Sequence, residues 1–351
     1  MRKKIISKYF NKDLAHTILI YDYYLEGVVD KVLRGHTGYV TCVNILPNGQ
    51  IVSGSADNTC IIWKHSGEID KILKGHTNFI RCINVLPNGQ IVSGSFDTTC
   101  IIWKLNGEID KVLRGHTHRV NCINFLPSKD GEQIVSGSDD NTCIIWKNTG
   151  EIDTVLRGHT KPISCLNILP SIDGGQIITG SADNTCIIWK PNGEIDKILF
   201  GHTHCIDCIS ILPNRQIVSG SSDSCIIWKP DGQIDKVLKG HTKSIKCMMI
   251  LPNGQIMTGS FDGTCIIWNP KSGEIDKVLK AYNNLVTGVS ILSNGQIASI
   301  SNISNDNTLI IWKENEEIDK VCESRYITSI NVLSNGRIVG ISANNTIVMW
   351  K

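Results

Sequence analysis

Histidine, serine or threonine, and aspartate recur in the same order six times in this 351-residue chain, and those side chains together can build a nucleophilic relay. His36, Ser53 and Asp57 are followed by His76, Ser93, Asp97; His116, Ser136, Asp140; His159, Thr179, Asp183; His202, Ser219, Asp223; and His241, Thr258, Asp262. Repetition argues against that chemistry, because six near-identical copies cannot all be active sites. No catalytic residue is expected. A second constellation, HTHCIDC, brings His202, His204, Cys205 and Cys208 together with the CxxC spacing of zinc ligands. His202 and Cys208 occupy ordinary repeat positions, and a strand would point Cys205 and Cys208 to opposite faces, so no metal site is expected. The recurring Gly-Ser pairs, as at Gly54-Ser55, precede a strand turn rather than a helix N-terminus and cannot cradle phosphate. No cofactor is expected.

The elements that must carry these residues are short strands. In IVSGSADNTCIIWK, Ile51 to Lys64, a β-favouring run meets a turn at Asp57-Asn58 and a second run returns. Copies end at Trp63, Trp103, Trp146, Trp189, Trp228, Trp268, Trp312 and Trp350, all eight tryptophans, at spacings of 38 to 44 residues. Each unit reads VTCVNILP, a turn at Asn48-Gly49, QIVSGS, the Asp57 turn, TCIIWK, a turn at Gly67, then EIDKILKGH. This predicts four antiparallel strands per unit. In the last, the charges between Ile69 and Ile72 suit an outer edge.

Four-stranded units of about 40 residues predict propeller blades, and the Gly-His pairs from Gly35-His36 to Gly240-His241 sharpen the point. The sequence resembles the WD-repeat β-propeller family, although its repeats close on Trp-Lys, or Trp-Asn at Trp268-Asn269, where that family has Trp-Asp. The resemblance implies that in each blade the histidine links the turn aspartate to the hydroxyl and the indole N–H: His36, Ser53, Asp57 and Trp63 in the first, with Trp103, Trp146, Trp189, Trp228 and Trp268 completing the later sets. Blade seven has Tyr282 at the histidine position. Blade eight has Gly340 and Asn344 where serine and aspartate would stand, so the softest part of the ring is expected there.

The fold class expected is all-β, a propeller of eight four-stranded blades, with seven as the alternative. The eighth unit stops at Lys351 without its fourth strand, while Glu26 to His36 matches one. Pairing the termini would then close the ring over residues 26–351. Residues 1–25 are read as a diverged hairpin or truncated blade, Thr17 to Asp22 imitating TCIIWK.

Composition narrows the function. Hydrophobic content of 41% supports a continuous core, while a net charge of +2 gives no global field of the kind nucleic-acid binders carry. Nucleic acid is therefore not the expected partner. Most of the fourteen cysteines recur once per repeat on two strands, as small buried hydrophobes do. With no apolar signal segment and no run of 18 apolar residues, the expected compartment is cytoplasmic, or nuclear, and no membrane is expected as a partner.

Positions that change from blade to blade while their neighbours hold still are the candidate binding residues. The resemblance places them on the face carrying the Gly-His loops and Asp turns: Tyr39, Phe79, Arg81, Phe96, Arg119, Lys161, Lys243, Lys246 and Phe261. Tyr39, Phe79, Phe96 and Phe261 are expected to stand exposed around a shared rim beside Arg81, Arg119, Lys161 and Lys243, and aromatic groups and arginines carry disproportionate binding energy. An acidic or phosphorylated segment with an apolar anchor would suit them, and the function expected is a protein-binding scaffold. The short blades also resemble the ubiquitin-binding propeller of the phospholipase A2-activating protein family, which makes ubiquitin an alternative partner. An enzyme using the central channel would need unrepeated titratable groups at the inner strands, where Val43, Ile83, Ile123 and Leu166 stand instead.

Overall fold

The computed structural model describes residues 29–128, 131–170, 175–222, 224–280, 285–302, 307–313, 317–324, 327–333, 336–342 and 345–350. The proposed hairpin at 1–25, together with Tyr282, Asp223 and Asn344, lies outside them.

A Val/Ile-rich run alternates with a turn every few residues, and the chain answers with strands throughout. Blade one comprises β2 (Val40–Ile45), β3 (Ile51–Ser55), β4 (Thr59–Trp63) and β5 (Ile69–Lys74), hydrogen-bonded in that order. Strands β6 to β29, from Ile80 to Ser324, repeat this arrangement in blades two to seven. The β3–β4 turn needs one left-handed residue, supplied by Asn58 at φ 69° and its counterparts Asn141 and Asn184. Asparagine tolerates that region; Thr98, at φ 75°, holds it against its branched side chain.

The eighth blade is completed from the other end of the chain. Its sheet runs β1 (Val29–Arg34), β32 (Thr346–Trp350), β31 (Ile338–Ser342), β30 (Ile327–Val332). Val32 lies opposite Val348 and Leu33 opposite Ile347, and Arg337 Nη1 stands 3.3 Å from Asp30 Oδ2. The alternative of seven blades is excluded. Closure leaves no open sheet between the first and last units.

The core lies between blades. Leu46, Val52, Ile62 and Leu73 of blade one pack against Ile80, Ile91, Ile101 and Trp103 of blade two. At the closure, Leu33, Ile341 and Ile347 of blade eight meet Val40, Ile61 and Trp63 of blade one in the same way. Blade-to-blade approach explains one invariant of the repeat. A Cβ on Gly54 would lie 2.6 Å from Ile80 Cγ2 and 2.9 Å from Ile83 Cδ1, so only bare backbone fits. Ile83 and Ile123, which lies as close to Gly94, thus fill the seams between blades.

Candidate partner-binding face

Each Gly-His pair sits where an outer strand hands over to the next blade, and both residues have a packing reason. A side chain on Gly35 would meet Ile69 Cδ1 at 2.8 Å and Trp63 Cη2 at 3.0 Å. The imidazole beside it joins a chain of hydrogen bonds with one consistent direction. Trp63 Nε1 donates to Ser53 Oγ (2.8 Å), Ser53 Oγ lies 2.8 Å from His36 Nε2, and His36 Nδ1 lies 2.9 Å from Asp57 Oδ2. With the ring neutral and its proton on Nδ1, every donor finds an acceptor. Asp57 also accepts from the N–H groups of Thr37 and Thr59, each at 2.9 Å, and from the Thr59 hydroxyl.

The same chain links His76, Ser93, Asp97 and Trp103; His116, Ser136, Asp140 and Trp146; His159, Thr179, Asp183 and Trp189; and His241, Thr258, Asp262 and Trp268. In blade five, His202 Nε2 and Trp228 Nε1 share Ser219 Oγ. Blade seven keeps the indole bond, Trp312 to Ser299. Blade eight does not: Trp350 Nε1 is buried with no acceptor among the described residues, since Gly340 brings no hydroxyl.

These histidines cannot meet a substrate. The His36 and His76 side chains are 0% exposed and their aspartates 10% or less. Burial alone would raise the Asp57 and Asp97 carboxyls, but hydrogen bonds from the histidine, the following threonine and a backbone N–H outweigh it and hold both well below the ordinary range. Burial lowers the His159 and His241 imidazoles despite their aspartate partners. Both effects act in one direction. A depressed histidine makes the unfolded chain take up protons first below pH ~6.5, and a depressed aspartate does so from about pH 4 downward. The stability these groups contribute is therefore full at neutrality and falls continuously with acidification, and the melting temperature is expected to drop between pH 7.5 and pH 5 and more steeply below pH 4. A melting temperature unchanged over that range would contradict it.

Above these buried sets lie the variable residues. Tyr39 is 64% exposed and Phe79 46%. Phe96 is half-buried: its ring centroid lies 5.8 Å from that of Phe79, and the Arg119 guanidinium sits over its ring, 4.9 Å from the centroid. The turn residue of one blade thus abuts the opening residue of the next, as Ser222 does with Ser244 at 3.1 Å. Arg119 is held by Asp139, which also accepts from Asn121 Nδ2 at 2.6 Å. In blade six, Lys246 pairs with Asp207 at 2.7 Å and lies 5.5 Å over Phe261, itself half-buried.

Two expectations need correction. Phe96 and Phe261 are not freely exposed, because the next blade's Arg119 covers one and the same blade's Lys246 the other. Lys246 and Arg119 are already neutralised by aspartates that the spacing of the sequence did not bring to them. Arg81, Lys161 and Lys243 remain exposed with no ion pair among the described residues. The structure therefore joins Phe79, Phe96 and Arg119 into one cluster and Lys246 with Phe261 into another, on blades far apart in the ring. Cys205 is exposed and Cys208 only partly so, and no metal-binding group occurs among the described residues.

The family model described as WD domain, G-beta repeat matches residues 27–64, 67–104, 107–147, 150–190, 193–229 and 232–269, well over half of the chain. The chain belongs to the WD40 repeat family. Each matched WD40 segment begins two residues before an outer strand and ends one residue past a repeat tryptophan, so its limits straddle two structural blades. WD40 propellers serve in general as protein-interaction scaffolds, and the last two blades carry that architecture beyond the matched segments.

Proposed function

We propose that this WD40 propeller is a non-enzymatic scaffold that holds a protein partner on the sector of blades one to three, in a reducing compartment such as the cytosol or nucleus. One observation carries the reading: Phe79, Phe96 and Arg119 form a contiguous shelf, and Arg81, two residues along the chain from Phe79, is exposed with no ion pair among the described residues. A shelf of that kind takes an apolar anchor, and Arg81 takes an acidic or phosphorylated group next to it. Its arginine and phenyl rings are ordered by each other before any partner arrives, which lowers the cost of binding.

The test is affinity capture from a cell extract with wild type and with Phe79→Ala/Arg81→Ala/Phe96→Ala, after both are shown to melt alike. Partners of the wild type should be lost from the variant, since truncating an anchor costs about 2 kcal/mol or more, roughly 30-fold in affinity. Phosphatase treatment of the extract separates a phosphorylated anchor from a merely acidic one. Identical partner lists would remove this sector as the site. Ubiquitin is the second reading, and absence of binding to immobilised ubiquitin at high micromolar concentration would dispose of it.

A further inference from the structure

At the end of each outer strand one residue stands at a fixed level, directly before the Gly-His pair in blades one to five and eight. Lys74, Arg114, Arg157, Lys280 and Arg34 lie opposite Thr59, Thr99, Thr142, Thr264 and Thr346, the first residues of the neighbouring strands. Lys239 follows Leu238 and Phe200 follows Leu199 at the same place in blades five and four, and Glu323 takes it in blade seven. The level carries from blade to blade, because inner strands are also tied at one register: Thr41 donates to the Ile80 carbonyl, Asn121 to that of Ile163 and Ser164 to that of Ile206. Six cations and one phenyl ring thus stand around the rim of one face in a common plane.

These cations are uncompensated. Arg34, Lys74, Arg114, Arg157, Lys239 and Lys280 are all exposed and make no ion pair among the described residues. Toward the opposite end of the blades four lysines are paired, Lys64 with Glu68, Lys104 with Glu108, Lys190 with Glu194 and Lys313 with Glu317, while Lys147, Lys229 and Lys271 make no ion pair among the described residues. On the Gly-His face Asp57 and its counterparts are bound to histidine and backbone N–H groups, Asp139 to Arg119 and Asp207 to Lys246, which leaves Glu323 of blade seven as the carboxylate at the level of the rim cations among the described residues. Six unpaired cations of a chain of net charge +2 therefore share one level at the Gly-His end. Phe200, 69% exposed, breaks the ring of charge with a large apolar group at the same level.

We propose that this face docks flat on an anionic lipid bilayer, the rim cations meeting lipid headgroups and Phe200 entering the interface between them. Planarity selects this occupant. An extended peptide or a nucleic-acid rod engages the few blades it crosses, whereas a lipid surface reaches all six cations at once. Long basic side chains keep their charge among the headgroups while their stems lie against apolar surface.

The experiment is co-sedimentation with phosphatidylserine–phosphatidylcholine vesicles and with phosphatidylcholine vesicles. Each cation near an anionic surface contributes roughly fivefold to the partition coefficient. Wild type should bind only the anionic vesicles, lose binding steeply as salt is raised, and fall at least about a hundredfold on changing Lys74, Arg114, Arg157 and Lys239 to Gln together. Phe200→Ala should weaken binding without changing its salt dependence. Leu105→Ala, which changes an exposed leucine in the turn after Trp103 at the opposite end of its blade, should bind vesicles as wild type does. Should the fourfold variant not fold, the four single variants each predict a fivefold loss. No binding of wild type to anionic vesicles at low salt, or unaltered binding by the charge variants, overturns the proposal, as does rim-dependent binding of polyglutamate without any binding to vesicles.

Discussion

Trp103→Ala is expected to cost about 3–5 kcal/mol in urea unfolding, a large part of the stability of an ordinary domain. The indole is 1% exposed and packs among Leu46, Ile62 and Leu73 of the preceding blade, so the cavity would open at a seam between blades. It also donates to Ser93 Oγ, the hydroxyl that meets His76 Nε2, and that second role can be separated from the first. Trp103→Phe keeps much of the volume and removes the N–H. Ser93→Ala keeps the ring and leaves both the indole N–H and the imidazole without their shared partner, at about 1–3 kcal/mol. If Trp103→Phe proves as costly as Trp103→Ala, volume is not what the tryptophan supplies. If Ser93→Ala proves neutral, the hydrogen-bonded chain contributes register rather than stability. Trp350 makes a natural control: its N–H already has no acceptor among the described residues, so Trp350→Phe should cost less than Trp103→Phe.

What the sequence displayed and what it hid follow from the distance over which each feature is specified. Strands, turns and the directed chain from tryptophan to aspartate recur at fixed offsets within one unit. Comparing units was therefore enough to find Ser53, His36 and Asp57 as fixed positions and Gly340 as a departure, while the resemblance to the WD-repeat family supplied the hydrogen bonds that link them. The borrowed strand was legible for the same reason, because DKVLRGHT at residues 30–37 repeats word for word at 110–117. Contacts between units are another matter. That Arg119 would lie over Phe96 and beside Asp139 depends on how far one blade is turned against the next, which no offset in the chain records. The exposed aromatic rim expected at Phe96 and Phe261 was half covered for that reason. Lys74, Arg114 and their counterparts were in plain view, yet in the sequence they look like the other lysines. Only the common level that strand pairing gives them, with Lys64, Lys104 and Lys190 paired to glutamates at the other end, sets the rim cations apart.

Removing residues 1–36 is expected to lower stability by at least about 5 kcal/mol relative to removing 1–28, since the difference between the two deletions is β1 and the two residues after it. That strand is paired with β32 from Val29 to Arg34 and buries Leu33 to 1% exposure within the cluster joining blades eight and one. Full burial of a leucine contributes about 2 kcal/mol and each ladder hydrogen bond about 1 kcal/mol, and the deletion would also expose the edge of β32. His36 goes with it, leaving Asp57 and Ser53 of blade one without their imidazole. Urea titrations of the two deletions measure the difference, and size-exclusion chromatography shows whether the exposed edge recruits a second copy. A synthetic peptide of residues 26–36 added to the shorter protein should restore stability in proportion to the logarithm of its concentration, because it binds only the folded ring. Equal stability of the two deletions would mean that blade eight holds with three strands. The ring would then be kept shut by side-chain packing across the seam rather than by the pairing of its two ends.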